Sequence, residues 1–532
     1  MTKDKAPAPE EIDLKSEIAP LMRSSMPRSS SAPPARTFPL TLDRVAIALM
    51  LVIAIVTGLL LLSGDRTSAH VRNFTWQDKT IGADDTAFVM TFSRPMDHKT
   101  VEKNLTITPP LSGKMSWSGR RMAYTLNLPA PYGKDYSIQL QNALDYFSQT
   151  GGQQSTIRPF EAKFRTRDRA FAYIGVQGEE AGRLIVYNLT QQQRLILSPK
   201  NLVVNDFKPY AIGDRILFAA SERTAQPQGL LEQKLYRVST GVQPNPPLQV
   251  DANPANNDPV KLPEVKPAGT LEEILDSRDY QNLKFDLSAD GKTIVVQRVN
   301  RTDPADFGPW VLREGQPPEP LKGQPGGDFL ITPDSDSLAI AQGQGLAILP
   351  LQPDAKPLDF LPKFGMVLNF SSDGSLAAMV KFNTDRTRSL FLVSNQGIQK
   401  QLLRTTGSIF SAEFDPKKQV LFCLLSQLIP GETYQEEPYL AAIDLKTSKL
   451  TSLLPLPNQR DVHMDVSPDT LAVLFDQTTE TEQGNASGVR GQSGMAIADS
   501  QLWLLPINIA DLSKKSEPEQ LPLPGIRPRW LP

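Results

Sequence analysis

Three histidines, His70, His98 and His463, and one cysteine, Cys423, are all the imidazole and thiol that 532 residues carry. A nucleophile needs a base beside it and a group that orients the base. His463 heads a strand-like apolar run and reads as structural or exposed, while Cys423 sits inside VLFCLL and reads as a core thiol, because free cysteine packs as a small hydrophobe. No G-x-S-x-G elbow, HExxH, CxxC or Walker sequence occurs, and GNASG and GQSG are near misses. Carboxylates are the remaining chemistry. Asp303 and Asp306 form one pair, Glu432, Glu436 and Glu437 a second group, and Glu480 and Glu482 a third. Such groups can exchange protons, hold a cationic partner or ligate Ca²⁺, yet none has the spacing of a calcium loop. Solvated loops carry the same residues. The expectation is a chain without catalytic residues, metal or cofactor, in which these seven carboxylates are the binding candidates.

Composition narrows the partners. Lys and Arg number 56 against 58 Asp and Glu, so the basic footprint that a phosphate backbone demands is missing and nucleic acid is not an expected partner. A single cysteine rules out an internal disulfide. The 46 prolines punctuate short apolar runs such as LLPLPN, a pattern of many short strands rather than long helices.

Val45–Leu62 reads VAIALMLVIAIVTGLLLL, 18 residues without a charge. At 1.5 Å per residue such a helix spans roughly 27 Å, about a bilayer's hydrocarbon core. The run is longer than the apolar region of a cleaved signal peptide. A transmembrane helix is expected over 44–63, behind a Pro- and Ser-rich disordered cytoplasmic tail over 1–43. Arg28, Arg36 and Arg44 on the N-terminal side favour that end in the cytoplasm, although Arg66 and Arg72 lie on the other. The remainder is then periplasmic or extracellular in a single-pass protein.

From Val71 the texture alternates. Seven strands are expected, at 71–76, 87–93, 105–109, 114–118, 121–128, 136–141 and 161–167, the count of a small β-sandwich. Within FSRPMD, Pro95 should end a strand and Asp97 should cap a helical turn. FSRPMD, NLTITPPLSGKMSW, RMAYTLNL and DYSIQLQNALDY together resemble the bacterial Ig-like domain of surface-layer proteins, over residues 70–167. The resemblance implies a spacer or binding module outside the cytoplasm.

The rest repeats. LKFDLSADGKTIVVQRV, GDFLITPDSDSLAIAQG, LNFSSDGSLAAMVKF, AEFDPKKQVLFCLLS and MDVSPDTLAVLFDQ each hold a strand, a tight turn and a second strand, spaced 39 to 52 residues apart. That is the period of a four-stranded propeller blade. Asp or Gly is expected to supply the turn's positive φ. Counting second strands predicts seven blades over 168–532, the first lacking its own first strand. GIRPRWLP, at 525–532, resembles that missing strand, so Arg527–Leu531 is expected beside Phe171–Val176, closing the ring. The SADG, TPDS, SSDG and SPDT turns resemble the WD40-like repeats of the periplasmic TolB family, which implies a non-catalytic binding platform.

Connections between a blade's second and third strands share a face with those between blades. The segments 221–233, 242–280, 298–309, 427–437 and 478–500 are assigned to that face, with TLEEILDSRDY in a short helix capped by Thr270. The expected function is a membrane-anchored scaffold or receptor for a protein or glycan of the cell envelope, bound through this face. The alternative is an envelope-glycan hydrolase or lyase using propeller-loop carboxylates. A deep central pocket with two or more convergent carboxylates would favour the enzyme.

Overall fold

The computed structural model describes residues 41–62, 68–146, 156–223, 231–242, 266–321, 326–343, 345–352, 358–431, 434–482, 488–491 and 493–532. Contacts divide the chain into two compact units, Met1–Thr67 and Ser68–Pro532. In the first, helix α1 (Thr41–Leu62) covers the apolar run, and its described apolar side chains, Val45 to Leu59, are exposed. Among the described residues no helix is long and apolar enough to cross a membrane. Most of the expected tail lies outside the described residues.

The second unit begins with two four-stranded sheets. One orders Val71–Phe74, Ala87–Phe92, Arg121–Leu126 and Gly113–Ser118; the other orders Thr80–Ile81, Phe160–Thr166, Asp135–Leu140 and Leu105–Thr108. Alternation decides which face is buried. Phe88, Met90 and Phe92 of one sheet meet Ile138, Leu140 and Phe164 of the other in one core around Trp76. This is a sandwich, and the short strand Thr80–Ile81 is its one element not anticipated. The first sheet's second strand stops at Phe92, before Pro95, and the Asp97 side chain accepts from the Lys99 N–H (3.2 Å) to cap helix α2 (His98–Asn104).

Seven further four-stranded antiparallel sheets follow among the described residues, each an open sheet and each a propeller blade. Blade 1 runs, from the inside outward, through Gly525–Trp530, Ala170–Gly175, Leu184–Asn188 and Gln193–Ile196. The innermost strands of blades 2 to 7 are Leu202–Pro209, Tyr280–Leu287, Phe329–Ile331, Met366–Phe370, Ile409–Phe414 and Met464–Val466. The second strands are apolar at successive positions because both faces are covered. Cys423, fully buried in the second strand of blade 6, is such a residue, and burial pushes its thiol pKa up.

The C-terminal strand lies beside the second strand of blade 1 as expected, over Gly525–Trp530 rather than Arg527–Leu531. Gly525 pairs with Gly175, Ile526 with Ile174, Arg529 with Ala172 and Trp530 with Phe171, with an irregularity between Ile526 and Arg529. Trp530 packs edge-on against Phe171 at 5.6 Å in a cluster with Tyr173, Leu474 and Leu502. At Gly525 a side chain would enter that cluster: a Cβ there would lie 2.3 Å from Tyr173 Cδ2 and 3.2 Å from the Ile174 carbonyl. Gly525→Ala is therefore expected to cost about 1–3 kcal/mol, measured as a lowered urea midpoint with an unchanged slope.

The hairpin turns between the first and second strands of blades 3, 5 and 7 share one design. Ser288 accepts from the Thr293 N–H (2.9 Å) and donates to Asp290 (2.6 Å), which in turn accepts from the Lys292 N–H (3.0 Å). Ser371 with Asp373, and Ser467 with Asp469, repeat it. The positive φ falls one residue after the aspartate, at Gly291, Ser335, Gly374 and Thr470, and at Lys418 in blade 6. Glycine supplies it in blades 3 and 5, as expected, whereas the aspartate acts as a hydrogen-bond acceptor and does not.

Two expectations for the connections are corrected. TLEEILDSRDY is not a helix. Leu271–Leu275 is the outermost strand of blade 2, and its Glu272 and Glu273 pair with Arg237 and Lys234 of the third strand. The long segment before it therefore joins the third strand to the fourth and starts and ends at the hairpin end of the ring. The second and third strands of blades 6 and 7 also reach into the presumed loops, ending at Ile429 and Thr481 and resuming at Gln435 and Ala496.

Candidate functional site

The described members of the expected carboxylates lie on blades 3, 6 and 7; most are held by partners on their own blade, and Glu436 also approaches Arg388 of blade 5. Asp306 accepts from Tyr280 Oη (2.6 Å) and Asn300 Nδ2 (3.0 Å), and these bonds hold its carboxyl below the ordinary range; Asp303 accepts from the Ala305 N–H (3.1 Å). Glu436 and Glu437 lie on a strand. Glu436 accepts from Ser426 Oγ (2.5 Å) and Tyr434 Oη and sits 3.9 Å from Arg388. Burial raises its pKa, and the hydrogen bonds from Ser426 and Tyr434 outweigh that, leaving it lowered. Glu437 accepts from Gln427 Nε2 (3.0 Å), and Glu480 from Ser493 Oγ (2.6 Å). Glu482 follows the strand that ends at Thr481. Glu432 lies outside the described residues. Among the described residues no group of three His, Cys, Asp or Glu is placed to hold a metal ion.

What converges lies in the middle of the ring. When the seven repeats are aligned on their turns, the position two residues before the turn holds Arg529, Lys208, Asp286, Leu330, Asn369, Glu413 and Asp465 in blades 1 to 7. All but Asp286 line a cavity of about 740 Å³. An innermost strand has one edge with no strand beside it, so its N–H groups need other acceptors. Three ring carboxylates supply them across the gap between blades. Asp286 accepts from the Ile331 N–H (2.7 Å), Glu413 from the Val466 N–H (2.8 Å) and Asp465 from the Trp530 N–H (2.5 Å). On the opposite arc, Lys208 pairs with Asp286, and Lys284 with Asp328. Arg527 and Arg529 both approach Asp206, at 3.6 and 3.8 Å.

Charge compensation is therefore uneven around the ring. Glu413 and Asp465 keep some exposed area because they line the cavity, yet protein surrounds them at longer range. Burial pushes the Glu413 carboxyl well above its ordinary value and the Asp465 charge adds to this, against the Val466 N–H and Arg529. Burial pushes Asp465 up to about 7, opposed by Arg529 and the Trp530 N–H. With these folded-state values above the unfolded ones, the folded chain holds more protons between about pH 4 and 7, so stability falls as pH rises through that window. Asp465→Asn keeps the acceptor for Trp530 and should remove about 1–3 kcal/mol of that fall, measured as urea midpoints at pH 5 and pH 8.

His463 immediately precedes the innermost strand of blade 7. Its N–H donates to Asp476 Oδ1 (2.6 Å), its Nδ1 lies 3.2 Å from Asp476 Oδ2, and its Nε2 lies 3.7 Å from Asp461 Oδ1. Asp476 also accepts from the Arg527 N–H (2.7 Å), so this group fixes the closing strand.

The sandwich sits at the hairpin end of the ring. The Tyr132 N–H donates to Asp469 Oδ2 (3.0 Å), Arg169 pairs with the same oxygen (2.7 Å), and Arg167 donates to the Pro532 oxygen (2.7 Å). Residues 82–85, Tyr132 and Arg167 line the cavity from this side. The opposite end carries the connections between second and third strands. There Phe382, Leu428, Ile429 and Tyr434 are exposed, Tyr434 by 70%.

No family model matches the chain, and no curated protein matches it. Among solved structures it is similar to TolB from Acinetobacter baumannii, with TM-score 0.38 and 10% identity over 81% of this chain and 83% of that one. It is also similar to a hypothetical selenium-binding protein from Sulfolobus tokodaii, with TM-score 0.41 and 11% identity over 68% of this chain and 92% of that one. A chain of a nidogen/laminin complex gives TM-score 0.32 and 11% identity over 54% and 93%. Likeness of this degree assigns neither family nor function.

Proposed function

We propose that this chain is a non-catalytic scaffold or receptor, anchored in a membrane through Val45–Leu62, whose propeller binds a protein or glycan of the cell envelope. The observation that carries this reading is the division of the ring's two ends. The sandwich occupies the hairpin end through Asp469, Arg167 and Arg169, and the other end presents exposed Phe382, Ile429 and Tyr434 on a rigid support. The anchor rests on the uncharged 18-residue run, and the sandwich is read as an Ig-like spacer on its strand count and the FSRPMD corner. The N-terminus would be cytoplasmic and the second unit periplasmic or extracellular. The test is recovery of cross-linked partners by the full chain in its membrane, compared with a Phe382→Ser/Ile429→Ser/Tyr434→Ser variant. Loss of the partner in the variant supports the reading, and equal recovery overturns it. Release of the protein from membranes by alkaline carbonate would remove the anchor.

The envelope-glycan hydrolase or lyase is kept as a second reading because one observation favours it: Glu413 and Asp465 converge in a central cavity. Each commits an oxygen to the next blade's backbone, which suits holding the ring better than exchanging protons with a substrate. Turnover of envelope glycans that is abolished by Glu413→Gln would reverse the order of the two readings.

A further inference from the structure

We propose that the central cavity binds a small organic cation, a protonated amine on an apolar body, seated between Glu413 and Asp465. This goes beyond the loop-face reading and stands or falls separately from it.

The cavity's volume of about 740 Å³ falls in the range of small-molecule sites. Its charges are not balanced locally. The basic arc is answered from within the protein, Lys208 by Asp286 and Arg527 by Asp206. The cation that acts on the acidic arc is Arg529, and that guanidinium already leans toward Asp206 at 3.8 Å. Glu413 and Asp465 occupy equivalent positions on neighbouring innermost strands, and each hydrogen bond to the next blade uses one oxygen, Glu413 Oε2 and Asp465 Oδ2. The second oxygen of each, Glu413 Oε1 and Asp465 Oδ1, takes no part in these bonds, and both residues line the cavity. Ser411 Oγ, on the cavity wall one turn of the pleat from Glu413, is buried without a hydrogen-bond partner. Two oxygens and a hydroxyl are too few for Ca²⁺, which takes six to eight oxygens. The two carboxylates can each accept from an ammonium group, which has three hydrogens to give. Leu330, Leu368 and Phe410 supply apolar wall for the rest of the molecule.

The experiment is calorimetric titration of the full chain with benzylamine, with its neutral counterpart benzyl alcohol, and with maltotriose as a neutral glycan. Saturable benzylamine binding, at least tenfold tighter than benzyl alcohol and at least tenfold weakened in Glu413→Gln, is the expected result. Both Glu413→Gln and Asp465→Asn keep the acceptor for the neighbouring blade, and the amine-against-alcohol contrast needs no variant. Three results would each overturn the proposal: no saturable amine binding at ~10 mM, equal binding of amine and alcohol, or saturable binding of maltotriose alone.

Discussion

Trp530→Ala is expected to destabilise the second unit by about 3–5 kcal/mol, the cost of removing a large buried aromatic side chain from a packed cluster. Trp530 is 6% exposed and touches residues from both sides of the closure: Phe171 and Tyr173 of blade 1, and Leu474 and Leu502 of blade 7. Its indole N–H also donates to the Asp465 carbonyl at 3.2 Å. The substitution therefore weakens the one blade built from distant parts of the chain. Urea unfolding followed by tryptophan-independent circular dichroism measures the loss. The ring should also open at this seam first, so backbone amides of Ala170–Gly175 should exchange hydrogen faster than those of the blade 3 second strand, Thr293–Asn300. If the variant keeps the parent's midpoint and exchange pattern, the seam does not hold the ring together.

Asp469→Ala should be nearly as costly, about 3–5 kcal/mol, because it strips a buried charge pair of one partner. The Asp469 side chain is fully buried, accepts from the Tyr132 N–H, pairs with Arg169 and takes the Ser467 hydroxyl at 2.7 Å. Alanine leaves the Arg169 guanidinium and the Tyr132 N–H without that acceptor. The distinguishing effect is local: the sandwich loses its hold on the ring, and limited proteolysis should cut near residues 167–169 at least tenfold faster than in the parent. The matching substitution Asp373→Ala, in the same turn position of blade 5, removes an exposed aspartate that accepts from Ser371 and the Ser375 N–H and pairs with Lys418, and should cost about 1 kcal/mol. Equal effects of the two substitutions would show that Asp469 serves its own turn alone.

That contrast explains much of what the sequence made legible and what it did not. Repeating turns are local chemistry: a hydroxyl, an aspartate and a residue that accepts positive φ within five positions. Strand pairs, blade number and the terminal strand could be read from them. Asp469 looks the same in sequence as Asp290, Asp334 and Asp373, and nothing local marks it as the one that also reaches the sandwich. The blade 2 outer strand was hidden because LEEIL has helix-forming residues, and its strand state comes from pairing with Leu235–Val238 across a long insertion. The central carboxylates were legible in principle. Glu413 and Asp465 keep a constant offset from their turns, but only the ring geometry shows that this offset points inward. The loop carboxylates drew attention by their number, whereas the structure ties most of the described ones to partners on their own blade, and Glu436 also to Arg388 of blade 5.

Blade 1 is assembled from strands about 350 positions apart, since Gly525–Trp530 lies beside Ala170–Gly175. During synthesis the ring has no way to finish until Gly525–Trp530 has left the ribosome. A polypeptide released early, or cut anywhere ahead of Gly525, would carry the Ala170–Gly175 edge bare, a mark that proteases and holding chaperones can read. The seam thus ties closure of the ring to the arrival of a strand made long after its partner.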